Sequence, residues 1–270
     1  MNSFLKKISF FVFLLALFAG YSTPLEARIK AVFWSKPGLF YQSRWSMFKK
    51  LGTWSSIGNV FRASEVQEEM FAKVTQAFGA QTQQYKANDP ETNKPLPLIM
   101  RHWLTGEKTP EEIRKAMHRV FKDDSFIRKI ADVVFTPKNL IEATSVNESS
   151  LALIQRMKPG TVQILASNYD PASFGELKNS AIGKRVLPSF AHIYNSGTLS
   201  AELRGVVLQD PAFFKLIMGD LHLKPEECLV INSDPAVIAA ARSLGMQTIE
   251  HKPNDYDSVK KQLKAMNLIK

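Results

Sequence analysis

Three polar clusters stand where this chain could do chemistry, each directly after an apolar run. Ser35 follows Ile29–Trp34, Ser167-Asn168 follows Val162–Ala166, and Asn232-Ser233-Asp234 follows Leu229-Val230-Ile231. A serine hydroxyl attacks only when a base takes its proton. Lys36 is the one basic neighbour of Ser35, and it should point to the other face of the turn. A phosphoserine would also resist hydrolysis without a strong base. Ser167 and Asn168 carry donors suited to an anion near a helix N-terminus, and they equally suit a turn kept for folding. Asp234 reads as a metal ligand or as a helix N-cap, and Asp170-Pro171 and Asp210-Pro211 repeat its Asp-Pro pattern.

The other reactive types lack a pattern. His102, His118, His192, His222 and His251 show no metal-ligand spacing, and Asp123-Asp124 and Glu226-Glu227 sit at element edges. Gly106-Glu107-Lys108-Thr109 ends like a phosphate-binding loop but lacks the earlier glycine and a preceding strand, so it reads as a helix start. Cys228 is the only cysteine, which excludes an intramolecular disulfide. It opens a buried strand and reads as an inert core residue. Trp34, Trp45, Trp54 and Trp103 read as core or as a binding face near the pocket mouth.

The elements that must position these residues are clearest over 207–249. Asp210-Pro211 starts a helix, an acceptor at N-cap and a fixed φ at N1. Leu229-Val230-Ile231 is a strand buried on both faces. Asp234-Pro235 starts a second helix, Gly245 closes it, and Gln247–Glu250 resumes extended structure. A strand–helix–strand unit belongs to a parallel sheet, whose ligand site lies past the carboxyl ends of the strands. Here that end is Asn232-Ser233-Asp234.

The same stretch resembles the haloacid dehalogenase-like (HAD) hydrolase superfamily. That family runs K-P-D-P, a helix, L-x-P-E-E-C, a hydrophobic strand, D-D-S-P, and a helix ending A-A-R-x-x-G-M. This chain keeps Asp210-Pro211, Leu223-Lys224-Pro225-Glu226-Glu227-Cys228 and Ala240-Ala241-Arg242-Ser243-Leu244-Gly245-Met246. Ser167-Asn168 is similar to the second family motif, and Asn195-Ser196-Gly197 to its S-G turn. The resemblance implies an α/β fold, a Rossmann-like parallel sheet core with an inserted all-helical cap domain. It places the family's nucleophilic aspartate on Ser35 and its second acid on Pro37. The family lysine falls on Leu208, and the paired metal-binding aspartates fall on Asn232 and Ser233. Four carboxylate posts and one ammonium post thus hold no group of the required type.

The rest of the chain sorts accordingly. Residues 1–27 read as a signal peptide, with basic Lys6-Lys7, apolar Ile8–Ala19, and cleavage after Ser22 or Ala27. That run is too short to span a bilayer, which takes about 20 residues. Residues 28–42 form the first strand and its loop, 43–155 a helical cap, and 156–270 the rest of the core. In the cap, Ser64-x-x-Gln67 and Thr109-Pro110-Glu111-Glu112 read as capping boxes. Further helices run through Phe126–Ile130, from Thr136-Pro137, and on towards Met157, with no strand pattern. The third strand of the core is placed at Phe190–Tyr194, and a last amphipathic helix at Tyr256–Met266.

The formal charge is +10, or +9 once Lys6, Lys7 and Glu26 leave with residues 1–27. The basic residues are dispersed, which reads as a solvated surface and not as a nucleic-acid site. The resulting expectation is an exported protein, periplasmic or secreted, that binds without catalysis. Its partner is a small anion or a protein, its vestigial pocket is made by Ser35, Ser167, Asn168 and Asp234, and the family magnesium is absent. The alternative is a phosphatase- or dehalogenase-like hydrolase with an unrecognised nucleophile.

Overall fold

Apolar residues in unbroken succession demand a strand with cover on both faces, and β1 (Ala31–Ser35) is buried along its whole length. The computed structural model describes residues 29–42, 63–89, 92–199, 205–251 and 255–270. The export segment expected at 1–27, together with Trp45 and Trp54, lies outside the described residues. After β1 come a single helical turn, α1 (Lys36–Leu39), and β2 (Phe40–Gln42). The inserted helices follow: α2 (Ala63–Phe78), α3 (Leu98–Leu104), α4 (Pro110–Val120), α5 (Ser125–Val134) and α6 (Pro137–Glu142). The chain returns through β3 (Thr144–Val146) and α7 (Glu148–Gln155) to β4 (Val162–Ser167), α8 (Pro171–Asn179), α9 (Ala181–Val186) and β5 (His192–Asn195). It ends with α10 (Pro211–Asp220), β6 (Cys228–Asn232), α11 (Pro235–Ser243), β7 (Gln247–Glu250) and α12 (Tyr256–Ala265).

The five long-range strands form one sheet in the order β5-β4-β1-β6-β7, every pairing parallel. Side chains alternate across it. Phe33, Ile164 and Val230 join Phe213, Phe214, Ile217, Val237 and Ala241 of α10 and α11 in one apolar layer. Trp34, Leu165, Leu229 and Ile231 join Leu153, Ile154, Val259 and Leu263 of α7 and α12 in the other. Phe33 meets Phe214 edge-on at 5.7 Å. Truncating Phe214 to alanine in so dense a layer costs about 3–5 kcal/mol.

Four local readings differ from the sequence expectation. The turn expected after Ser35 is a helical one, because proline is tolerated in a first turn. Ser150 Oγ donates to the Gly38 carbonyl at 2.6 Å, and Asn147 N donates to that of Leu39 at 2.8 Å, which fixes it. The stretch expected to be wholly helical contains β3, which pairs antiparallel with β2, Phe40 opposite Val146. Both of those residues are buried, so the pairing seals an apolar edge that periodicity over so short a run does not reveal. The helix expected to be capped at Ser64 already includes that residue. The helix begins at Ala63, and Gln67 Nε2 donates instead to Asp89 at 3.0 Å. The last strand before α10 starts at His192, since a helical turn occupies Leu187–Ser189. The Thr109 box is made as expected, and Gly79 and Gly245 end their helices at φ 87° and 85°.

At one seam the inserted helices meet the sheet domain against backbone atoms. Ser196 Oγ donates to the Leu104 carbonyl at 2.9 Å. A Cβ at Gly106 would lie 3.0 Å from Gly197 O, and one at Gly197 would lie 2.5 Å from Tyr169 O. Arg101 of α3, nearly fully buried, donates through Nη1 to Gln81 Oε1 at 3.2 Å and Tyr85 O at 2.5 Å, and through Nη2 to Gly205 O. Burial draws its guanidinium below the usual range, with Glu107 and Asp210 opposing.

Candidate functional site

All five sheet strands end on a polar residue: Ser35, Ser167, Asn195, Asn232 and Glu250. Three helices, α8, α10 and α11, start near this edge, each with an aspartate N-cap and proline at N1. Asp170 accepts from Ser173 N at 2.9 Å, Asp210 from Ala212 N at 2.8 Å, and Asp234 from Ala236 N at 2.8 Å. The positive end of each helix is therefore already met by a carboxylate of its own chain.

Between these caps runs a chain of amide hydrogen bonds. Leu208 N donates to Asn168 Oδ1 at 2.8 Å, and Asn168 Nδ2 donates to Gln209 Oε1 at 3.0 Å. Gln209 Nε2 in turn donates to Asp234 Oδ2 at 2.7 Å, and Asp234 N donates to Asn232 Oδ1 at 2.8 Å. Ser167 Oγ donates to Asn195 Oδ1. Each of these contacts uses a group that an external ligand would otherwise engage. Both carboxylate oxygens of Asp234 are occupied, one by its cap and one by Gln209. Asn195 Nδ2 and Ser35 Oγ, by contrast, are buried without a hydrogen-bond partner among the described residues.

A cleft of about 10 Å³, room for about one water, opens beside β1. Trp34, Ser35, Gly38, Ser150, His251 and Tyr256 line it. Asn147 Nδ2 donates to the Tyr256 hydroxyl. The His251 ring packs on α1, since a Cβ at Gly38 would lie 3.0 Å from its Nε2. Trp34 Nε1 faces away from any ligand role and donates to Gln163 Oε1 at 2.7 Å. Trp103 is core, edge-on to Phe135 at 5.0 Å. Cys228, also buried, has its thiol pushed up to about 12 by burial, with Glu227 and Glu226 adding to the effect.

No family model matches the sequence, and no curated protein matches it. Solved structures do match. A HAD family enzyme from Bacteroides thetaiotaomicron, crystallised as a magnesium complex, is 16% identical, with a TM-score of 0.57 over 87% of this chain and 99% of its own. A predicted HAD-like family hydrolase from Porphyromonas gingivalis is 17% identical, with a TM-score of 0.56 over 88% and 99%. The 2-haloacid dehalogenase of Pseudomonas syringae pv. Tomato DC3000 is 13% identical, with a TM-score of 0.51 over 88% and 99%. The fold is that of the HAD-like hydrolases.

Within the HAD-like frame the sequence-assigned posts separate. Ser35, Asn232 and Ser233 lie at the ends of the adjacent strands β1 and β6, where the register sets Trp34 beside Ile231. Pro37 lies in α1, and its side chain is outside the described residues. Leu208 contributes its backbone amide to Asn168, while its side chain is buried in the apolar layer with Phe213 and Phe214. Asn168 comes together with Asp234 through Gln209, which the sequence reading passed over, while Ser167 pairs with Asn195 instead. The signal for Gln209 was its place directly after Leu208, in a segment whose backbone is tied to the site. His251 and Tyr256 were also missed. They reach Ser35 only because β7 is parallel to β6 and returns its carboxyl end to the same edge.

Proposed function

We propose that this HAD-like chain is an exported protein that acts by binding and does not turn over phosphate esters or haloacids. The observation that carries this is the Asn168–Gln209–Asp234 relay, which joins to one another the groups a reacting anion would need. Carboxylate chemistry at phosphorus or carbon needs an ionised nucleophile and a cation opposite the developing charge. Ser35 and Leu208 supply neither. Magnesium prefers carboxylate oxygens in octahedral array. Ser35, Asn232 and Ser233 offer hydroxyls and an amide, and Asp234 has both oxygens engaged, so the residues do not fit this ion. The test is a broad panel of phosphomonoesters and 2-haloacids with magnesium. The expected result is no turnover above background, and none in Ser35→Asp either. Export rests on Lys6-Lys7 and Ile8–Ala19. N-terminal sequencing of protein recovered from its cells is expected to begin after Ser22 or Ala27, and a full-length cytoplasmic form would refute it.

One observation favours the hydrolase reading. Among the described residues Ser35 Oγ has no partner, and His251, absent from its sequence neighbourhood, lines the same cleft. In that reading His251 would take the Ser35 proton as the hydroxyl attacks. Turnover lost in both Ser35→Ala and His251→Gln would establish it, and turnover indifferent to both would place any activity elsewhere.

A further inference from the structure

We propose that the carboxyl end of β1 is a recognition site for a primary carboxamide, and that in this structure the chain's own Gln209 fills it. In the sheet β1 lies between β4 and β6. Asn168 directly follows β4, and Asp234 stands two residues beyond β6. The Gln209 side chain joins the two, so its carboxamide passes across the end of the central strand. That is where a parallel sheet of this kind takes its ligands. Gln209 is 5% exposed, whereas Asn168 and Asp234 are half-buried, so the place that it fills adjoins solvent. The backbone before it is held by the inserted helices: Gly205 O accepts from Arg101 of α3, and Val207 is buried in a cluster with Ala87 and Leu96. With the backbone so fixed, an exchange of occupants takes a rotation of the Gln209 side chain alone.

The hydrogen bonds at the two ends fix the ligand class. Asn168 Oδ1 accepts from Leu208 N at 2.8 Å, so Nδ2 faces the occupant, which there needs an acceptor. Asp234 Oδ1 accepts from Ala236 N at 2.8 Å, so Oδ2 faces the occupant, which there needs a donor. An acceptor and a donor on one planar group, meeting partners at 3.0 Å and 2.7 Å, describe a primary carboxamide. A carboxylate would set its charge against that of Asp234, which disfavours the small anion expected at this edge. An ammonium would leave Asn168 Nδ2 without its acceptor, and a donor orphaned in a sheltered place destabilises. The binding reading above thereby gains a ligand class. Equilibrium binding and turnover are measured separately, so either can fail without the other.

Gln209→Ala removes the atoms of one acetamide molecule and leaves their place open. The full-length variant is melted with acetamide, N,N-dimethylacetamide, sodium acetate or ethylammonium chloride, each against wild type in the same solution. Acetamide alone is expected to stabilise the variant, its unfolding equilibrium constant falling about elevenfold at ten times the Kd. In the wild type Gln209 competes, and the same stabilisation should need at least about tenfold more acetamide. If the variant does not fold unaided, recovery from urea by dilution into each solute takes the place of melting, and only acetamide should restore it. Equal stabilisation of variant and wild type overturns the proposal, since acetamide would then act elsewhere. N,N-dimethylacetamide acting as strongly as acetamide also overturns it, because the donor to Asp234 would be immaterial. A stronger response to acetate would assign the site to an anion instead, and no response to any of the four solutes would show that it takes no external carboxamide.

Discussion

Replacing Gln209 by leucine tests whether the amide relay holds the strand-end edge together. Gln209 is 5% exposed, and leucine keeps its approximate volume, so packing changes little and the hydrogen bonds are isolated. The substitution removes a neutral bond to Asn168 at 3.0 Å and a bond to the Asp234 carboxylate at 2.7 Å. A neutral bond contributes about 1 kcal/mol net, and one to a charged group about 1.5–3 kcal/mol. Asn168 and Asp234 are only half-buried, so water recovers part of the second term. The expected loss is about 2–3 kcal/mol, which in a domain of this size lowers Tm by about 4–12 °C. Urea unfolding should show a lower midpoint at unchanged slope. The double variant with Asn168→Ala should show a coupling of about 1 kcal/mol. A loss below about 0.5 kcal/mol, or sites that add without coupling, would refute the relay as a structural unit.

Other outcomes follow from single contacts. Gly197→Ala should cost about 1–3 kcal/mol through overpacking, because its Cβ would press on Tyr169 O at 2.5 Å and Pro171 Cδ at 2.8 Å; thermal melting measures it. The Cys228 thiol, pushed up to about 12, should resist alkylation in the folded protein at pH 8 and react at once in urea. The sign is set by burial, which disfavours the thiolate. Rapid labelling without denaturant would show that β6 opens locally.

Much of this arrangement was legible because local rules and global fold agree. Asp210-Pro211 and Asp234-Pro235 each announced a helix that forms with an aspartate cap and proline at N1. Gln247–Glu250 is a strand where extended structure was expected to resume after Gly245. The three-residue β3 and the one-turn α1 were not legible, because elements so short owe their form to partners distant in sequence, Phe40 in one case and Ser150 in the other. The site shows the same division. Ser35, Ser167 and Asn232 could be placed by their position after apolar runs. Gln209, Asn195 and His251 acquire their roles only through side-chain contacts across the edge, which no spacing in one chain encodes.

The meeting of Gly106 with Gly197 carries a lesson about inheritance. A joint made by side chains can drift, since a smaller residue on one wall invites a larger one on the other. A joint made against a backbone carbonyl cannot, because the oxygen has no volume to surrender. Relatives of this chain should therefore keep a glycine at 106 against the 197 carbonyl and, for a separate reason, one at 197 against the Tyr169 carbonyl, or lose either only with a rearrangement of the turns at 104–106 and 195–197. A position in such a pair will look like part of an active site in any alignment, while the reason for its constancy is the thickness of a peptide bond.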